Sequence, residues 1–220
     1  MLEILIKGRW MMLPLMACSV LALAVFIDRA RAFWANRKVD SRSLRAKVLG
    51  MLEDGDLSGA ARLCAGTPGP VSAVMLTGLQ SYAKHKVLTN RPESITTIME
   101  KAMEDYTLHA LSAVEKRLNV LSTIGAAAPL LGMAGTVLGM INSFDKLAGA
   151  GGMDPSVVAG GISEALITTA AGLLIGLAAV VPYSIFTAMA DRVALEIDEA
   201  ATELIDFVAT RIEGEQREEA

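Results

Sequence analysis

Two uncharged stretches, Val120 to Ile141 and Ala165 to Ala190, decide most of what this chain can fold into. Each is long enough to cross a bilayer, which takes about 20 apolar residues at about 1.5 Å rise per residue. A short glycine-rich crossing, Leu147 to Met153, joins them. Small and hydroxyl residues recur every three or four positions along both: Ala128, Gly132, Gly135, Thr136, Gly139 and Ser143 in the first, and Ala165, Thr168, Thr169, Gly172, Gly176 and Ala179 in the second. In lipid, apolar surface gains little by leaving apolar solvent, so such stripes serve close helix-on-helix packing. Gly132, Gly135, Gly139, Gly172 and Gly176 are therefore the expected packing positions.

The rest of the composition agrees with a helical membrane protein. Hydrophobic residues make up 53% of the chain but aromatics only 5%, so the apolar content is aliphatic and small. A net charge of −4 argues against a nucleic-acid partner, which usually meets a basic face. Cys18 lies in an apolar run and Cys64 in a polar one, so neither a disulfide nor a metal site is expected. His85 and His109 are isolated and read as helix-surface residues.

Taken in order, residues 1–9 form a short lead before a charge-free run from Trp10 to Ile27 that contains Pro14. Ala22-Leu23-Ala24 mimics a signal-peptide cleavage site, but the apolar run continues past it and two further spans follow. The run is expected to remain as a first span. Arg29, Arg31, Arg37, Lys38, Arg42, Arg45 and Lys47 follow it, against Lys7 and Arg9 before it. The heavier basic side is cytoplasmic by the positive-inside rule, which places the N-terminus outside and the C-terminus inside. The resulting division is an outer N-terminus (1–9), a first span (10–27), a cytoplasmic helical region (28–118), a second span (119–144), an outer crossing (145–156), a third span (157–190) and a cytoplasmic C-terminal helix and tail (191–220).

Within the cytoplasmic region, Ser41 to Lys86 reads as short helices broken at Asp54-Gly55 and stopped at Thr67-Pro68-Gly69-Pro70. Pro92 suits the first turn of a helix. From there an apolar stripe through Ile95, Met99, Met103, Tyr106, Ala110, Val114, Leu118 and Leu121 predicts one continuous helix from Pro92 to Phe144, standing about 40 Å proud of the bilayer. Asp154-Pro155 gives an N-cap and first-turn signal for the third span. Its stripe passes Pro182 and continues through Val193, Ile197, Leu204, Val208 and Ile212, with a frayed tail from Glu213. The expected fold is an all-α membrane protein of three transmembrane helices, the second and third extended as long helices into a cytoplasmic helical bundle.

Nothing in the chain suggests an enzyme: it has no phosphate loop, no Ser-His-Asp set and no metal spacing, and no cofactor is called for. Chemistry would have to be transport, carried by polar groups at membrane depth, which are costly there. The candidates are Thr136, Ser163, Glu164, Thr168 and Thr169, with Asp145 at the outer end, where an ion pair with Lys146 is expected. No span carries a central acid, so a proton path would need a carboxylate from another chain.

Ala128-Pro-Leu-Leu-Gly-Met-Ala-Gly-Thr-Val-Leu-Gly-Met-Ile141 and Ile162-Ser-Glu-Ala-Leu-Ile-Thr-Thr-Ala-Ala-Gly-Leu173 resemble the two signature stretches of the MotA/TolQ/ExbB proton-channel family, nearest its ExbB/TolQ branch. Pro14, Cys18 to Leu23 and the acid-arginine pair Asp28-Arg29 resemble the first span of that branch. The resemblance implies a homopentamer whose second and third spans line a pore. Inside it sits an ExbD/TolR-like single-span protein that supplies a membrane aspartate and acts on a TonB/TolA-like protein. Thr136 and Thr169 match the family's pore threonines and Glu164 its pore-side glutamate, with Thr168 beside them. The implied location is the bacterial inner membrane. The implied role is a motor driven by proton-motive force, serving TonB-dependent import or outer-membrane maintenance. The chain lacks the four-span layout and torque domain of flagellar stators. Against this stand a non-conducting membrane scaffold and a small-solute transporter, the latter disfavoured because no inverted repeat or broken mid-membrane helix is evident.

Overall fold

The computed structural model describes residues 9–36, 40–86, 92–149 and 155–219. The glycine-rich crossing from Ala150, the Asp154 cap and the basic residues Arg37 and Lys38 lie outside the described residues. Among the described residues there are seven α-helices and no strand: α1 (Arg9–Asn36), α2 (Ser41–Glu53), α3 (Leu57–Gly66), α4 (Pro70–Lys86), α5 (Pro92–Glu115), α6 (Leu118–Gly149) and α7 (Pro155–Glu219). Three are long and apolar enough to cross a membrane, over Met11–Trp34, Leu118–Ala148 and Val158–Ile212. Only 22–28% of each apolar window is buried. Leu13, Val20, Leu130, Leu166, Leu174 and Leu177 all point outward. Water would penalise so much bare aliphatic surface, and lipid or neighbouring apolar helices would not. The chain is an all-α protein with three membrane-spanning helices.

The contacts divide the molecule into two compact units. One takes α1 up to Ala30 together with Arg117–Phe186. The other takes Arg31–Lys116 together with the chain from Thr187 onward.

In the second unit, local signals place each helix end. Gly55 adopts φ +81°, a left-handed conformation that glycine enters without a Cβ penalty. Its N–H donates to Leu52 O at 3.1 Å, and Asp56 N–H donates to Met51 O at 2.8 Å, which closes α2 with a Schellman pattern. The Arg211 guanidinium also donates to Leu52 O. Asp56 then caps α3, accepting from Gly59 N–H at 2.8 Å and from the Ser58 hydroxyl at 2.9 Å. Gly69, at φ +143°, and Pro70 turn the chain into α4. The Ser72 hydroxyl lies 2.6 Å from Thr67 O and 2.8 Å from Gly69 O, bracing that turn.

The core of this unit joins α2 (Val48, Leu52), α4 (Val74, Met75, Leu79), α5 (Ile95, Met99, Met103) and α7 (Ile197, Leu204, Val208). Gly78 marks its tightest point, where a Cβ would lie 2.5 Å from Met103 Sδ and 3.1 Å from Leu204 Cδ2. Each large apolar side chain fully buried here contributes about 1.5–3 kcal/mol. The buried Arg45 meets Glu199 at 3.0 Å and Glu203 at 3.3 Å, and the Ser41 hydroxyl donates to Glu196 at 2.6 Å. Cys64 is buried in the same core, and desolvation of the thiolate pushes its pKa up to about 11, so it is a packing residue and not a nucleophile.

Gly59 N–H, then the Ser58 hydroxyl, stabilise the ionised Asp56 and hold its pKa below the ordinary carboxylate range. A carboxylate with a lowered native pKa stabilises the fold fully above its unfolded pKa. That contribution disappears as pH falls through the native value. Asp56→Asn is therefore expected to flatten the acid limb of a melting-temperature-versus-pH curve below about pH 4, the range set by an unfolded aspartate. At neutral pH the loss should be small, because asparagine still caps.

The structure corrects the single helix expected from Pro92 to Phe144. That stretch is two helices, α5 ending at Glu115 and α6 starting at Leu118. Arg117 between them takes φ +68°, a left-handed conformation that costs a side-chain-bearing residue energy. Its guanidinium reaches Asp28 of α1 at 3.0 Å, while Arg29 donates to the same carboxylate oxygen at 2.8 Å and 3.1 Å. The apolar stripe conceals the break because its period is kept on both sides. The second span thus does not continue as one long helix. The third does: α7 is 65 residues long, passes Pro182 unbroken and includes the charged tail to Glu219 that was expected to fray.

Candidate functional site

The first unit contains α1, α6 and the first half of α7, and its tightest packing is between α6 and α7. A Cβ on Gly172 would stand 2.5 Å from Ala128 O and 2.9 Å from Gly132 Cα. One on Gly132 would stand 3.1 Å from Thr169 Cα, and one on Gly176 would stand 2.7 Å from the Pro129 ring. A Cβ on Gly135 would stand 2.5 Å from the Thr168 methyl, and one on Gly139 would stand 2.9 Å from Ala165 Cβ. The two backbones thus approach at van der Waals distance along three turns. Phe26 of α1 packs on Phe186 of α7, with ring centroids 5.8 Å apart.

This approach brings one hydroxyl across the helix pair. Thr169 Oγ1 donates to Gly132 O at 2.9 Å. In an α-helix that carbonyl also takes the N–H four residues on, which is Thr136. Thr136 is half-buried one turn along α6, and its own hydroxyl donates back to Met133 O at 2.6 Å. The Thr169 hydroxyl and the Thr136 N–H therefore share the Gly132 carbonyl, while the Thr136 hydroxyl takes the adjacent Met133 carbonyl, in the middle of two apolar spans.

Glu164 and Thr168 are placed differently. At about 100° per residue, Thr168 lies about 40° from Glu164 around α7, whereas Thr169 lies about 140° away. Thr168 is 2% exposed, and its hydroxyl donates to Glu164 O at 3.1 Å. Glu164 is half-buried in a groove of about 500 Å³, shared with Asn142 and Asp145 of α6 and Met11 of α1. Ser163 is exposed on an open apolar face with Ile162, Leu166 and Ile167. Among the described residues no ion pair joins Asp145 to Lys146; both are exposed, and Asp145 lines the groove with Glu164.

Sequence reasoning did not find Asn142 as a neighbour of Glu164, nor Arg117 as the partner of Asp28. Asn142 does carry a signal, as the amide one turn beyond Leu138 and Gly139 on a face that is otherwise apolar. Arg117 carries none. No described group of His, Cys, Asp and Glu side chains could hold a metal.

The profile of the MotA/TolQ/ExbB proton channel family matches residues 67–199, which takes in both glycine-rich spans and the threonine pair. The chain belongs to that family. Among its relatives, the Tol-Pal system protein TolQ of Pseudomonas aeruginosa is 30% identical over 184 residues, 82% of this chain and 78% of that protein. The biopolymer transport protein ExbB of Salmonella typhimurium is 30% identical over 176 residues, 80% of this chain and 70% of that protein. The ExbB of Xanthomonas campestris is also 30% identical, over 64% of this chain, and there the match spans 58% of the relative's length. With the family in place, Thr136, Glu164 and Thr169 become the polar groups to weigh for function.

Proposed function

We propose that this chain is the pore-forming subunit of a proton-motive-force-driven motor in the bacterial inner membrane. In this reading five copies form a ring around an ExbD/TolR-like single-span helix that carries a membrane aspartate. The motor passes energy through that helix to a TonB/TolA-like protein and so to TonB-dependent import or outer-membrane maintenance. The excess of arginine and lysine after the first span supports a periplasmic N-terminus and a cytoplasmic C-terminus.

One observation supports the reading: the hydroxyls of Thr136 and Thr169 bond adjacent carbonyls of one helix, Met133 O and Gly132 O, within spans that have no charge of their own at that depth. Hydroxyls there provide a step where a carboxyl can exchange hydrogen bonds while crossing apolar surface. Charge moving through it is driven by about 2.3 kcal/mol per 100 mV.

Native mass measured in detergent tests the assembly, with the chain expressed alone and with a single-span protein bearing one membrane aspartate. The expected result is a five-copy ring that takes up one or two partner chains. A monomer or dimer with the same mass in both preparations would leave a non-conducting scaffold as the better reading.

A further inference from the structure

The break at Arg117 falls where the local sequence offers no reason for one. Between Pro92 and Gly125 the chain has neither proline nor glycine. The residues around the joint include Ala113, Glu115, Lys116 and Leu118, all strong helix formers. Val114, Leu118 and Leu121 keep helical spacing across it. Yet Arg117 sits at φ +68°, and among the described residues no other residue except glycine has a positive φ. Val120 N–H donates to Arg117 O at 3.1 Å, where an unbroken helix would send it to Lys116 O. A residue with a side chain stays in that conformation only when its surroundings hold it there, and such outliers gather at elements that switch.

Arg117 reaches out of the joint to the Asp28 carboxylate of α1, 3.0 Å from its guanidinium. Both partners can part without stranding a charge. Asp28 also accepts from Arg29 at 2.8 Å and 3.1 Å, so its carboxylate stays paired when Arg117 leaves. The Arg117 side chain is about half exposed, so water can take up its guanidinium. An uncompensated buried charge, which would lock the pair together, is therefore absent from either arrangement. We propose that the joint between α5 and α6 is a two-state element, latched by Asp28. It is broken while Arg117 holds that carboxylate, and it closes into one continuous helix when the pair parts. The closed form regains regular helical hydrogen bonding and relieves the left-handed residue; the broken form gains the charge-assisted contact. These terms oppose each other within one short stretch, which is what a bistable element requires. The proposal does not depend on the motor reading. It adds a position at which the helical path from α5 into the second span can be made or broken.

The test is amide hydrogen exchange of the full chain in lipid nanodiscs, read by mass spectrometry on peptides covering Lys116 to Leu121. In the unmodified protein these amides should exchange faster than those of the turns on either side. Arg117→Ala removes the guanidinium but still disfavours a positive φ, so the helix should close. Exchange there should slow by about tenfold, the weight of one charge-assisted hydrogen bond. Arg117→Gly removes the same guanidinium but enters the left-handed conformation freely, so exchange should stay fast. Asp28→Asn should behave like Arg117→Ala. That substitution also weakens the pairing of the buried Arg29. If it prevents folding, the two Arg117 variants decide alone, because they leave Asp28 and Arg29 in place. Slow exchange in the unmodified protein would mean that the joint is already closed. Fast exchange in Arg117→Ala, or in a folded Asp28→Asn protein, would mean that the break does not depend on the pair. Equal protection in the alanine and glycine variants would mean that exchange follows loss of the side chain and not the backbone conformation. Each of these results overturns the latch.

Discussion

Gly172→Leu is expected to leave no folded three-helix membrane unit, and even Gly172→Ala should lower its stability by about 3 kcal/mol or more. Overpacking in a core costs about 1–3 kcal/mol when neighbouring side chains can shift. Here a methyl group would meet Ala128 O, Gly132 Cα and Gly132 N, at 2.5, 2.9 and 3.1 Å, all backbone atoms of α6. Two helices would have to separate, and with them the contacts of Gly132 and Gly176. In lipid there is little hydrophobic gain to hold a separated pair together. Gly135→Ala should be milder, because its nearest obstacle is the Thr168 methyl and not a backbone. Gly160→Ala is the control: beyond its own stretch of helix backbone no described atom lies within 4 Å of its Cβ position, so relief of glycine's helix penalty should stabilise by up to about 1 kcal/mol. Thermal melts and monodispersity of the detergent-extracted variants would check the order. A Gly172→Ala protein that melts with Gly160→Ala would refute the backbone contact.

The elements legible in the sequence are those encoded by local chemistry. The break at Asp54-Gly55 and the stop at Thr67 to Pro70 each act within a few residues, and α2, α3 and α4 begin and end there. The three spans follow from length and lack of charge alone. The break at Arg117 does not, and the ion pair made there is with a carboxylate 89 residues away on α1. Periodicity carries straight across it, with Val114, Leu118 and Leu121 keeping the helical spacing. The same limit applies at the site. Thr136, Thr169 and Glu164 stand out as polar residues among apolar ones. That Thr169 reaches Gly132 O, and that Glu164 lines one groove with Asn142, Asp145 and Met11, depends on the register of three helices, which no single helix records. Glycines permit a close approach, but which glycine meets which carbonyl is settled only once the helices are side by side.

Thr169→Val and Thr136→Val should each abolish most proton-dependent function while the protein still assembles. Valine keeps the volume of threonine and its β-branch, so the packing of α6 on α7 is preserved. Thr169→Val removes one hydrogen bond to Gly132 O, a loss of about 1 kcal/mol. The carbonyl is not left bare, because the helix still supplies Thr136 N–H. Thr136→Val costs less, since its hydroxyl only doubles back on its own helix at Met133 O. Function should be more sensitive than stability. A hydrogen bond to an ionisable group contributes about 1.5–3 kcal/mol, or about 10- to 100-fold in the rate of a step that depends on it. Thr168→Val gives the contrast within the same motif. Its hydroxyl is buried against Glu164 O and its methyl packs on Gly135, so the substitution should change transport little. Proton flux into vesicles containing the reconstituted complex, normalised to ring content by native mass, would measure all three. Full flux in both Thr136→Val and Thr169→Val would remove the threonine pair from the proton path. Equal loss in Thr168→Val would instead show that the groove holding Glu164 belongs to the path as well.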